Sequence, residues 1–260
     1  MKYDVSCLQE TYVTNNVVKH WQRNWKGTFL FTPGTNHSKG QIILINKNTK
    51  IENIKEIISN ERLLGLTFEV EGTSYTILNI YVPAKDSEKT AFFHYLSSVL
   101  EDLSDEEKSK LIICGDFNVV LSNGLDIIAG AKHDEKYVNM FNEFVHLYSL
   151  NDAWRYCHGE KKDFTWSRSN PFIARRLDYI FVSDDLICHI SDICHKVTQA
   201  TDHKAIMISL KDIEFKRGPG YWKLNTSLLK DEKYISLINN CIDNTLLENN
   251  DLDSQTLWEF

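Results

Sequence analysis

The feature that most constrains this chain is a hairpin signal followed directly by a helical crossover. Residues 63–70 and 74–82 are apolar, β-prone runs on either side of Glu71-Gly72-Thr73, the chemistry of a tight turn between paired strands. Residues 88–103 then place Phe92, Tyr95, Leu96, Val99, Leu100 and Leu103 at helical spacing, which predicts an amphipathic helix. A further apolar run, 111–114, stops at Gly115. More strands are expected at 3–8, 28–32, 41–45, 164–167, 177–182, 187–198 and 205–210. A second helix is expected at 136–148, with Val138, Phe141, Phe144, Val145 and Tyr148 on one stripe. Strands joined by both hairpins and helical crossovers imply an α/β fold in which sheets pack face to face with helices outside.

The chain has 260 residues, of which 42% are hydrophobic and 12% aromatic, so a sizeable core can be buried. No apolar run of about 18 residues exists, so no membrane span is expected. Residues 1–10 lack the basic start and long apolar run of a secretory signal. The six cysteines form no C-x-x-C pair, which weighs against a zinc ribbon, and the reading is an intracellular protein with free thiols. A net charge of −7 is unlike the basic footprint of a nucleic-acid binder. A divalent-metal site needs carboxylates, however, and its ion supplies positive charge where a phosphate sits. Lys161, Lys162, Arg168, Arg175 and Arg176 also cluster, so the total can hide a basic face. Composition shifts after Leu210. The expected division is a domain over 1–212, followed over 213–260 by a polar linker containing Arg217-Gly218-Pro219-Gly220 and a helical segment with an acidic, Asn-rich end.

Four short motifs stand at the ends of expected strands, where catalytic groups usually sit. Glu10, in Leu8-Gln9-Glu10-Thr11, offers oxygen to a hard cation such as Mg²⁺; alone, it reads better as a surface strand cap. Asn79 and Tyr81, in Asn79-Ile80-Tyr81-Val82-Pro83, share one strand face, and the tyrosine hydroxyl can bond a phosphate oxygen or be structural. Cys114-Gly115-Asp116-Phe117-Asn118 sets a carboxylate and an amide two residues apart, enough to hold a water and a phosphate oxygen or to make an Asx turn. Asp178 interrupts the apolar run 177–182, where a carboxylate needs a partner. Thr201-Asp202-His203 precedes the last strand, and acids beside a histidine can hold one tautomer or keep it charged.

In order, LQET, NIYVP, GDFN, TW, RLDYIFVS and TDH resemble the exonuclease–endonuclease–phosphatase superfamily, most of all the endonuclease domain of LINE-type non-LTR retrotransposons. The resemblance covers about residues 3–210. Gly220-Tyr221-Trp222-Lys223-Leu224-Asn225 is similar to the connector that precedes a reverse transcriptase in such elements.

The resemblance implies a DNase-like two-sheet sandwich with flanking helices and a nuclease that uses Mg²⁺, or Mn²⁺ in its place, to nick DNA and leave a 3′-hydroxyl. It implies that Glu10 binds the metal, with Asp202 on the metal side. Asp116 and Asn118 position the attacking water and a phosphate oxygen, and Tyr81 touches the scissile phosphate. His203 stabilises developing charge while Asp178 holds its ring, and Thr165 lies near the DNA backbone. Action in the nucleus is expected, with a reverse transcriptase domain as partner in a full-length relative. The family pattern starts with a strand carrying an Asn and then a helix. Here the chain starts in the LQET strand, so the expectation is a sandwich lacking that first strand and helix. Other readings are a same-fold repair endonuclease or phosphatase, and a catalytically dead remnant.

Overall fold

A computed structural model describes residues 3–35, 39–198, 201–211 and 230–248. The chain divides into two compact units, Met1–Ile213 and Glu214–Phe260. The linker over 212–219 and the connector around Trp222 lie outside the described residues. Within the second unit, a helix over Glu232–Glu248 falls in the stretch expected to be helical.

The first unit opens with β1 (Val5–Leu8), α1 (Val18–Asn24), β2 (Thr28–Thr32), β3 (Gln41–Ile45) and β4 (Ile51–Asn60). The expected hairpin follows as β5 (Leu63–Val70) and β6 (Thr73–Tyr81), and the crossover as α2 (Asp86–Asp102), α3 (Asp105–Ser109) and β7 (Leu111–Asp116). Next come β8 (Ile127–Ile128), α4 (Glu135–Leu147), β9 (Leu150–Asp152), α5 (Ala153–His158), β10 (Trp166–Ser169) and β11 (Phe172–Arg175). The unit closes with β12 (Asp178–Ser183), α6 (Asp184–Ile187), β13 (Ile190–Val197) and β14 (Lys204–Leu210).

The main sheet has six strands in the order β4-β5-β6-β7-β12-β9. Only β6 and β7 run parallel in it, as a helical crossover demands; the other pairs are antiparallel. Its central strands β5, β6, β7 and β12 are buried on both sides, and strand alternation sorts their residues between two cores. One face carries Leu78, Ile80, Phe117, Tyr179 and Phe181, packed beneath Phe92, Phe93 and Leu96 of α2 and Phe141 and Phe144 of α4. The other carries Leu64, Leu66, Ile77, Ile112, Cys114 and Ile180, which meet Ile43 and Ile45 of β3 and Ile193 of β13. Each fully buried Leu, Ile or Phe contributes roughly 1.5–3 kcal/mol, so these two faces carry most of the unit's stability.

The opposing layer consists of two smaller sheets, β1-β3-β2 and β13-β14. A third small sheet, β10-β11-β8, is separate in strand order and is joined to the facing layer by a single antiparallel bridge between Trp166 and His203. The architecture is therefore mixed α/β with several sheets and flanking helices, as expected. Some boundaries differ from expectation. β7 runs through Gly115 to Asp116 instead of stopping at the glycine. The strand expected from residue 187 begins at Ile190, because Asp184–Ile187 form a helical turn, with Asp184 and Asp185 suiting its first turn.

Candidate active site

Sheet register assembles the acidic half of the site. In the main sheet Tyr81 pairs with Asp116, and Asp116 pairs with Asp178. Three adjacent strands thus deliver a phenol and two carboxylates side by side at one end, with directly opposed Cβ atoms about 5 Å apart. Gly115 makes this possible: its φ is +140°, and a Cβ there would lie 2.0 Å from the Ile80 carbonyl oxygen. Only glycine lets β7 approach β6 so closely at that point.

The smaller sheets bring the rest. Glu10 lies just beyond β1, with φ at +49°, and its Oε1 accepts a hydrogen bond from the Tyr81 hydroxyl at 2.6 Å. His203 lies at the foot of β14, and its Nδ1 is 2.8 Å from Asp178 Oδ2. Among the described residues, ligand atoms of Asp116, Asp178 and His203 all come within 4.8 Å of one another.

Asn118 closes the far side through a real Asx turn. Its N–H donates to Asp116 Oδ1 at 2.8 Å, and its side-chain amide donates to the Val82 carbonyl at 3.0 Å and to Asp116 Oδ2 at 3.1 Å. The turn reading and the site reading of this motif are therefore one structure: the turn aims the carboxylate.

The electrostatics follow from that crowding. Burial, then the charge of Asp178, push the Asp116 carboxyl well above the usual range, and Glu10 adds to the effect. For His203, burial works against the charged ring, but the hydrogen bond and charge of Asp178, together with Asp116 and Asp202, outweigh it and push its pKa up to about 9. The imidazole is then protonated at neutral pH. Burial, followed by the hydrogen bond to Glu10, raises the Tyr81 phenol, so Tyr81 stays neutral and donates.

Three expected roles change in detail. Thr165 is 1% exposed, so it does not face solvent or a DNA backbone. Its Oγ1 accepts from the N–H groups of Leu177 and Asp178, both at 3.0 Å, and its carbonyl accepts from Lys204 N–H at 2.6 Å. It therefore clamps the segment bearing Asp178 to the strand bearing His203. Asp202 is exposed and stands outside the ligand group. Its Oδ2 accepts from the Trp166 indole at 2.7 Å, and the Thr201 hydroxyl accepts from His203 N–H at 3.1 Å, so this turn orients the histidine. The Tyr81 hydroxyl is bonded to Glu10, and reaching a phosphate would require it to leave that partner.

Two positioning groups escaped the sequence reading. Asn79 is fully buried; its Oδ1 accepts from Gln9 Nε2, and its amide donates to the Leu8 carbonyl at 3.1 Å. This pair ties β1, and with it Glu10, to β6. Arg176, in the expected basic cluster, is 1% exposed. Its Nε donates to Asp126 Oδ1 at 2.8 Å, and its Nη1 forms an ion pair with Asp152 Oδ2 at 2.7 Å, so it is a buried strut beside Asp178 and not part of a basic face.

The donor set fits a hard divalent cation. Asp116, Asp178 and Glu10 offer carboxylate oxygens, and burial together with the charge of Asp178 disfavours an ionised Asp116. A divalent ion would offset that effect.

Two facing β-layers with helices outside, and a cluster of carboxylates and a histidine at one strand edge, are the architecture of a class of hydrolases of α/β fold. The chain belongs to the Endonuclease/Exonuclease/phosphatase family, whose model matches residues 1–203. It is 30% identical over 235 residues to the "Transposon TX1 uncharacterized 149 kDa protein" of Xenopus laevis, an alignment that covers 89% of this chain and 18% of that protein's length. Two solved structures share the fold. The AP endonuclease LMAP of Leishmania major superposes with a TM-score of 0.66 at 17% identity, covering 80% of this chain and 78% of that one. The endonuclease domain of TRAS1, a telomere-specific non-LTR retrotransposon, gives 0.59 at 14% identity, covering 81% and 87%. The fold is thus related to AP endonucleases and retrotransposon endonuclease domains, and the family is one of hydrolases.

Proposed function

We propose that this chain is a Mg²⁺-dependent endonuclease of retrotransposon origin that nicks DNA and leaves a 3′-hydroxyl, acting in the nucleus. The observation that carries the reading is the convergence of Asp116, Asp178 and His203, with Glu10 bonded into the same cluster through Tyr81. The transposon relative supports the origin. Mn²⁺ would serve in place of Mg²⁺.

A phosphodiester is anionic, so water attacks it slowly unless charge is neutralised. Glu10 and Asp116, with Asp178 beside them, would hold the divalent ion, which supplies positive charge to the phosphate and the leaving oxygen when bound. His203 is protonated, and its Nδ1–H is spent on Asp178. Its Nε2–H then donates to a non-bridging phosphate oxygen as charge develops there. Asp178 keeps the ring charged and aimed. Asp116, ionised when the divalent ion is bound, would accept the proton of the attacking water. Asn118 fixes the Asp116 oxygens for that transfer. A reverse transcriptase domain in a longer relative would then extend the 3′-hydroxyl.

The test is nicking of supercoiled plasmid with Mg²⁺, Mn²⁺ or EDTA, followed by extension of the nick with a DNA polymerase. Metal-dependent nicks that prime extension directly support the reading. Nicks that prime only after phosphatase treatment carry 3′-phosphates and contradict it.

A further inference from the structure

Charge is distributed unevenly in a way the total of −7 hides. From Thr11 to Ile51 the chain carries six Lys and Arg residues and no Asp or Glu. Lys39 and Lys50 are paired with Glu61 and Glu71. Lys19, Arg23 and Lys26 are exposed on α1 and just past it, and no described carboxylate pairs with them. Lys19 and Arg23 sit one helical turn apart. Large apolar side chains share the same stretch: Trp21 is 41% exposed, Tyr12 45% and Val17 47%. The helix beneath them is well seated. Val13 and Val18 are buried with Ile42 and Leu44 of β3, Trp25 packs alongside, and the Trp25 indole donates to the Thr28 carbonyl at 3.0 Å. The cations and the exposed rings therefore stand on a fixed surface.

The stretch that carries this surface begins beside the site. Tyr12 follows Glu10 by two residues, and both turn out of β1 with positive φ, +49° and +53°. The N–H groups of Thr11 and Tyr12 donate to the Gly40 and Lys39 carbonyls, both at 3.1 Å, which fixes the turn between Glu10 and α1.

We propose that α1 and the turn leading into it form a platform for duplex DNA beside the scissile phosphate. Lys19, Arg23 and Lys26 neutralise backbone phosphates, and Trp21 packs against a deoxyribose between them. Unpaired cations interleaved with exposed aromatic rings, on the one long stretch without an acid, complement a polyanion with apolar faces. The acidic remainder of the chain repels DNA elsewhere and so helps set its direction across the site. This inference rests on the nuclease reading above.

The experiment measures binding of a fluorescent duplex oligonucleotide by anisotropy over a salt series, with His203→Ala in the full chain to keep the duplex intact. Adding Lys19→Ala, Arg23→Ala and Lys26→Ala together is expected to weaken binding at least about 30-fold and to reduce the log–log salt slope by about 3. Trp21→Ala is expected to weaken binding roughly tenfold and leave the slope unchanged. Lys19→Arg with Arg23→Lys and Lys26→Arg retains affinity and slope. Tight binding by the parent, with the triple alanine variant within twofold of it and on the same slope, overturns the platform and leaves the nuclease reading standing. No DNA binding by the folded parent overturns both.

Discussion

The two layers of the first unit solve the same packing problem to different degrees. In the main sheet every residue of β7 is buried, as are the last six of β6. Phe117, Phe141, Tyr179 and Phe181 stack and edge-pack on one another at 4.8–5.7 Å beneath the helices. In the facing layer, β1 and β14 contain no fully buried residue. Among the described residues each has one strand neighbour, β3 and β13 respectively. The site draws on both layers: Tyr81, Asp116 and Asp178 come from the rigid sheet, Glu10 and His203 from the looser strands. Three devices bridge the difference, namely the Gln9–Asn79 bond, the Tyr81–Glu10 bond and the Thr165 clamp. The stable layer fixes the carboxylates, and hydrogen bonds rather than core packing bring the remaining groups to them.

The comparison is sharpened first by core truncation. Phe141→Ala should cost about 3–5 kcal/mol in chemical denaturation, the range for emptying a packed aromatic site. Ile206→Ala in β14, half-buried, should cost roughly 1 kcal/mol. Similar costs at both sites would show that the layers are equally packed. A smaller effect is expected at the bridge: Asn79→Ala leaves Gln9 and the Leu8 carbonyl without a partner and should destabilise by about 1–3 kcal/mol. Nicking by this variant, measured where it is fully folded, should fall about tenfold as Glu10 loses its anchor. Unchanged nicking would show that Glu10 is held without Asn79.

The smallest effect is a pH dependence confined to the looser layer. His195 on β13 stacks on Trp154 at 3.9 Å, and burial, acting against Asp163, pushes its pKa down to about 4. An unfolded histidine titrates near 6.5. Between those values the unfolded chain takes up a proton that the folded chain refuses. The stability present above pH 6.5 is therefore lost as pH falls toward 4, on the order of 1 kcal/mol by pH 5. Asp116, with its carboxyl raised in the fold, contributes with the opposite sign over this window, so the readout is the difference between parent and variant: His195→Phe, which keeps an aromatic ring, should gain stability relative to the parent as pH falls from 7 to 5. A pH-independent difference would show that His195 does not titrate there.

Sequence patterns exposed much of this arrangement, and their failures have physical causes. The β5–β6 hairpin, the α2 crossover and α4 were legible because their apolar residues keep the period of their elements. β4 was not, because register shifts between Glu52 and Lys55 and between Glu56 and Ile58 break its alternation. α1 was hidden because Val17 and Trp21 face solvent and blur the helical stripe. Asp116, Asp178 and His203 were legible because each stands where an apolar strand starts or ends. Thr165 and Arg176 were misread because type and spacing do not reveal burial: one hydroxyl and one guanidinium, both suited to phosphate, are spent inside the protein. The Gln9–Asn79 bond joins residues 70 positions apart, a contact that no local pattern encodes.

The central claim is that a charged His203, held by Asp178, acts on a phosphodiester beside the carboxylate cluster. Single-turnover plasmid nicking in Mg²⁺ by the chain and by Asp178→Asn tests it most directly, because asparagine keeps the shape and removes the charge that holds the proton on His203. The expected result is Mg²⁺-dependent nicking by the parent and a loss of about 10²-fold or more in a fully folded variant. Nicking by Asp178→Asn at the parent rate, or parent nicking that persists in EDTA, would contradict it.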